Sequence, residues 1–202
     1  MNENTPIVLL HGLGSTPLTL IPLKIYLEYI GKYKNIHNIS YEVDNIDFEE
    51  ALNKLDKKLE TFINKLTDKP IFIGQSIGGL FANNLHKKGW NILKTITIGS
   101  PLHGARLLNK LENILPPFIT KKLKKKSYDY LMTKPPDIKP EHQCYTITAS
   151  WFNTSFDGCV FTDEAKYEDE TNTHISWSDH RTIFIDPRFW KVVLHKINKK
   201  ID

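Results

Sequence analysis

Several things are scarce in this chain of 202 residues. No stretch approaches the roughly 18 to 20 consecutive apolar residues that a bilayer-spanning helix requires, and "MNENTPIVLLHG" lacks a basic leader followed by an apolar segment and a small-residue cleavage site. As written, the chain is expected to be untargeted and cytoplasmic, with secretion through a removed leader left open. Charge of one sign is also scarce. With 27 Lys and Arg against 23 Asp and Glu, the net charge is +4, too mild to argue for a nucleic-acid partner. Only two cysteines occur, Cys144 and Cys159. Their spacing fits no zinc pattern, so no metal is expected. Two buried free thiols is the plain reading, and a single disulfide in an oxidising compartment is the alternative. Neither G-K-[ST] nor G-x-G-x-x-G is present, which argues against a bound nucleotide. There is no internal repeat.

What is present is an alternation of apolar runs and helical periodicity. "IVLLH" (7–11), "KNIHNISYEV" (34–43), "KPIFIG" (69–74), "ILKTITIGS" (92–100), "QCYTITAS" (143–150) and "THISW" (173–177) read as extended segments. Between them, 17–30 reads as helical, and "GGLFANNLHKK" (78–88) reads as a helix ended by Gly89. In 48–66 the residues Phe48, Leu52, Leu55, Leu59, Phe62 and Leu66 form one amphipathic stripe. A last helix over 187–197 is started by Asp186 and Pro187. This order predicts one α/β domain over 1–202, built on a mostly parallel sheet of about six strands with helices on both faces. Residues 101–140 break the rhythm with two Pro-Pro pairs and the basic run "KKLKKK" (121–126), and are expected to form a cap-like or lid-like insertion. The lysines read as a solvated helix face, or more weakly as a peripheral contact with an anionic membrane.

The segment that carries chemistry is "FIGQSIGGLF" (72–81). A small hydroxyl residue, Ser76, stands where a buried strand gives way to a helix. Gly74 and Gly78 flank it, leaving room for the backbone to pass closely. Such a bend presents a nucleophile, and the following helix aims its N-terminal amides at the negative charge formed when an ester is attacked. A serine needs a base, and the base needs a carboxylate to orient it. His86 and His195 fall within helices and His142 precedes a strand. His180 lies on a loop between the last strand and the last helix, at the carboxyl end of a strand, and is the expected base, with His174 in "THISW" as the alternative. Asp157, just after the strand at 143–150, is the expected carboxylate. Asp163, Glu164, Asp169 and Glu170 read as a solvated acidic loop, and Asp179 adjoins His180 too closely to serve. The loop "HGLGST" (11–16) follows the first strand, and its Leu13 amide is expected to pair with the Ile77 amide as an oxyanion hole. Leu13, Leu18, Ile77, Leu102, Trp151 and Phe152 lie near strand ends as candidates to line an acyl pocket.

With "LLHGLGS", "GQSIGG", "GSPLHG", "FDGCV" and "SDHRTIFIDP" in this order, the chain resembles the lipase and esterase branch of the α/β-hydrolase superfamily, over most of residues 6–198. The resemblance implies carboxylic ester hydrolysis without a cofactor, with Ser76 as nucleophile, Asp157 as acid, His180 as base, and the Leu13 and Ile77 amides as oxyanion donors. His11 and His103 would support loops. Gln75 stands where many lipases have histidine. The implied substrate is a small-molecule ester or lipid. An acyl thioesterase with the same triad, or a catalytically idle binding protein of this fold, are the alternatives.

Overall fold

The computed structural model describes residues 2–44, 46–63, 68–107, 143–167 and 172–200. Six strands form one sheet: β1 (Ile7–Leu10), β2 (Ile36–Ile39), β3 (Ile71–Gln75), β4 (Lys94–Ile98), β5 (Cys144–Ser150) and β6 (Thr173–Ser176). Their order is β2-β1-β3-β4-β5-β6 and every neighbouring pair is parallel. β1, β3, β4 and β5 are buried at every position, as strands covered on both faces must be, and this explains why they read as unbroken apolar or Thr-rich runs.

Among the described residues, four α-helices cover the sheet: α1 (Ile21–Tyr29), α2 (Phe48–Ile63), α3 (Ile77–Lys87) and α4 (Pro187–Asn198). The two faces carry separate cores. Phe48, Leu52, Leu55 and Leu59 of α2 join Leu80, Phe81 and Leu85 of α3 over Val8, Leu10 and Phe72. On the other face, Leu23 and Leu27 of α1 and Phe189, Val193 and Ile197 of α4 pack on Ile7, Leu9, Ile73 and Ile96. The stripe read in α2 is therefore its buried face, up to Leu59; Leu66 lies outside the described residues.

Local chemistry sets the element ends. The Asp186 side chain accepts the Arg188 amide at 2.8 Å and Pro187 opens α4, so this helix starts where Asp-Pro predicts. α3 stops before Gly89, which takes φ +95° and returns its amide to the His86 carbonyl at 2.9 Å. Residues 17–30 are not one helix: a 3-10 turn over Pro17–Leu20 precedes α1, with Pro22 in the first turn of α1, where its missing amide costs nothing. The extended reading of 34–43 contracts to four paired residues, since β1, the neighbour β2 pairs with, is itself four residues long. Of the expected insertion over 101–140, residues 101–107 are described, and the remainder, with its lysine run at 121–126, lies outside the described residues.

Candidate active site

The strand order reverses between β1 and β3, and an open parallel sheet leaves a crevice at the carboxyl ends of its strands at such a point. Ser76 sits there, between β3 and α3, with φ 50° and ψ −124°, a conformation an L-residue adopts at a cost. Two glycines make the turn possible. A Cβ on Gly74 would lie 2.4 Å from the Gly78 carbonyl, and one on Gly78 would lie 2.5 Å from the Leu10 carbonyl oxygen, so any side chain would push α3 away from β1 and β3. Both ends of the turn are tied down: the Ser76 amide donates to the Ile98 carbonyl at 2.8 Å and the Gly79 amide to the Ser76 carbonyl at 3.1 Å.

Asp157 and His180 are brought into direct contact. His180 Nδ1 is 2.7 Å from Asp157 Oδ2, and the His180 amide donates to the Asp157 carbonyl at 2.7 Å. The carboxylate is 2% exposed, and its other oxygen accepts the amides of Cys159 and Val160 at 2.9 and 2.7 Å. With Nδ1–H donating to the carboxylate, Nε2 is left as the acceptor nitrogen. Gly99, with φ +52°, passes so close that a Cβ would lie 3.2 Å from both Asp157 Oδ2 and His180 Nδ1. Ser76 and His180 line one cavity of about 550 Å³, together with Leu13, Cys159, Arg181 and Phe184.

His174 is elsewhere. Both ring nitrogens face β5, Nδ1 at 3.0 Å from Thr148 Oγ1 and Nε2 at 2.9 Å from Ser150 Oγ, so it bridges the two strands. Burial, with Lys166 second, holds its pKa below the ordinary value. His142 lies outside the described residues, and His195 is exposed on α4.

The loop after β1 is held from both sides. The Gly12 amide donates to Gln75 Oε1 at 3.0 Å and the Gly14 amide to Asp44 Oδ1 at 2.9 Å. Between them the Leu13 amide has no acceptor among the described residues, and neither has the Ile77 amide. His11 stacks on Tyr41 at 4.3 Å and its Nδ1 lies 3.0 Å from the Gly12 carbonyl. Burial lowers its pKa, which suits a supporting imidazole donating to a carbonyl. His103 likewise braces a loop, with Nε2 2.9 Å from the Lys166 carbonyl.

Other expectations change. Glu164 is 3% exposed; it accepts the Arg106 amide at 2.6 Å, Arg106 Nε at 2.9 Å and the Phe161 amide at 2.9 Å. It staples two loops and is no part of a solvated acidic face. Asp169 and Glu170 lie outside the described residues. Of the six apolar pocket candidates, Leu13 lines the cavity. Ile77 and Leu102 are core, and Leu18, Trp151 and Phe152 are exposed outside its lining. Both cysteines are free, and Cys159 is exposed. Sequence reasoning missed Gln75 as the brace of the first loop, Gly99 under the Asp157–His180 pair, and Arg181 on the cavity.

Solved structures share this architecture. A Bacillus licheniformis lipase, BlEst2, in its mature form superposes with a TM-score of 0.78 at 17% identity, covering 98% of this chain and 93% of that one. The fold is that of the α/β-hydrolases. The Pyrococcus furiosus esterase PF2001 (TM-score 0.68, 15% identity, 96% and 81% covered) and a Paleococcus ferrophilus monoacylglycerol lipase (0.62, 17%, 96% and 94%) share it. No protein-family profile matches the sequence, and no curated protein resembles it at the sequence level. At these identities the α/β-hydrolase likeness speaks for the fold. The chemistry is argued from the chain's own residues.

Proposed function

We propose that the chain is a serine hydrolase that cleaves carboxylic esters through an acyl-enzyme. The observation that carries this reading is the contact of His180 with the buried Asp157 carboxylate, 2.7 Å apart, with His180 on the cavity that Ser76 also lines. His180 Nε2 takes the Ser76 hydroxyl proton as Oγ attacks the ester carbonyl carbon. The imidazolium so formed is stabilised by Asp157, which stays ionised. The carbonyl oxygen gathers negative charge between the Leu13 and Ile77 amides, which have no acceptor among the described residues and can donate to it. His180 returns its proton to the departing alkoxide. Water, deprotonated by the same nitrogen, then attacks the acyl-serine, releasing the acid and restoring the Ser76 hydroxyl. The lipase and esterase names of structures with this fold support the same substrate class.

Hydrolysis of a p-nitrophenyl ester series, short to long acyl, by wild type and Ser76→Ala tests the reading. Turnover is expected from the wild type and none above background from Ser76→Ala. Equal turnover by both proteins excludes Ser76 as the nucleophile.

A further inference from the structure

The chain has three arginines, and two are neutralised by carboxylates. Arg106 reaches Asp163 at 2.5 Å and Glu164 at 2.9 Å, and Arg188 reaches Asp186 at 2.6 Å. The third, Arg181, follows the proposed base in sequence and lines the cavity beside Ser76. Among the described residues, no carboxylate pairs with its guanidinium. The nearest in sequence, Asp179, is turned into its own loop, where it accepts the amides of Arg181 and Thr182 at 2.8 and 2.9 Å and the Thr182 hydroxyl at 2.8 Å. Among the described residues lining the cavity, Arg181 alone carries a permanent charge. Its field also reaches Cys159 on the same wall. Although the residue is exposed overall, desolvation of its thiol first, and then Asp157, push that thiol up to about 11, and Arg181 acts in the opposite sense.

The direction of acyl transfer places this charge. The general acid protonates the departing alcohol, so the alcohol half of an ester lies on the His180 side of Ser76, against the residue next to it. A guanidinium offers planar, paired N–H donors matched to carboxylate and phosphate oxygens. We infer that Arg181 is a specificity residue selecting esters whose alcohol half carries an anionic group, a carboxylate or a phosphate. This rests on the ester-hydrolase reading above. The cavity lining also includes the apolar Leu13, Ala105, Leu107, Val160 and Phe184, which suit the acyl half.

The test compares kcat/KM within two substrate pairs, using the full chain. One pair is p-nitrophenyl butyrate and its ring-carboxylated counterpart. The other is monobutyrylglycerol and monobutyrylglycerol phosphate. The readout is the anionic-to-neutral ratio, in which any general loss of activity or folding cancels. In Arg181→Gln this ratio is expected to fall about tenfold or more relative to wild type, with Arg181→Lys retaining part of it. A fall in the phosphate pair alone identifies a phosphate-bearing alcohol, and a fall in the carboxylate pair alone identifies a hydroxy-acid alcohol. Ratios equal in wild type and Arg181→Gln for both pairs overturn the inference. A wild type that hydrolyses no member of either pair fails the hydrolase reading instead. Calorimetric titration with glycerol phosphate then decides the arginine: a wild-type Kd that weakens about tenfold in Arg181→Gln upholds it, and an unchanged or unmeasurable one overturns it.

Discussion

One amide and one side chain join the two loops from which the proposed oxyanion donors come: the Gly12 N–H and Gln75 Oε1, 3.0 Å apart and buried. Gln75→Leu removes the acceptor and leaves that N–H unpaired, which should cost about 1 to 3 kcal/mol of stability. It should also lower kcat more than it raises KM, because the Leu13 amide loses its anchor. Urea unfolding and ester kinetics on the same protein check both. Gly99 makes a similar argument from space. Gly99→Ala puts a methyl 3.2 Å from both members of the Asp157–His180 pair at a φ of +52°, so kcat should fall although no functional group is removed. Asp157→Asn keeps the shape and loses the charge that fixes the histidine tautomer, and a loss of kcat on the order of 10⁴-fold is expected. At this scale the sequence offers candidates where a residue type suits the proposed chemistry, as with Ser76, Asp157 and His180, and of these the structure pairs Asp157 with His180. Gln75 and Gly99 act through neighbours 63 residues away for Gln75 and on two other loops for Gly99, and no local pattern encodes such partners.

The elements were legible in kind because period and burial agree, strand by strand and helix by helix. Their ends were less so, since pairing length and the 3-10 entry to α1 are set by neighbours. Lys94 shows how a tertiary contact overrides a local reading. Polar in sequence and placed at the start of β4, it is fully buried, and its ammonium donates to the carbonyls of Lys196, Ile197 and Lys199 at 3.3, 3.0 and 2.7 Å. It thereby closes the carboxyl end of α4, where cations are favoured. Lys94→Met should loosen that end, costing about 1 to 3 kcal/mol. Burial, with Lys199 second, pulls the Lys94 ammonium from 10.5 down to about 8. The unfolded chain therefore holds this proton more tightly than the folded one, and stability should rise with pH between about 8 and 10.5. Denaturant titrations across that window should show the slope in wild type and its loss in Lys94→Met.

At the scale of the whole molecule, four fully buried strands are flanked by β2 and β6, which pair on one side and are only partly buried. Hydrogen exchange should follow that gradient, with the amides of β3 and β4 opening only on global unfolding and those of β2 and β6 exchanging sooner. The parallel pairing of the sheet followed from the alternation of strand and helix, whereas its strand order is seen in the structure alone. The crevice lies at the reversal of that order, and Ser76 and His180 line one cavity there, with Asp157 behind His180. The pairing of Glu164 with Arg106 was not legible, because an acidic run looks alike whether it faces water or a guanidinium. The most direct test of the proposed chemistry is to treat the protein with a fluorophosphonate and locate the adduct by peptide mass spectrometry. One phosphonyl group on Ser76, formed faster in wild type than in His180→Ala, is the predicted result. An unmodified Ser76, or an adduct on another residue with turnover intact, would contradict it.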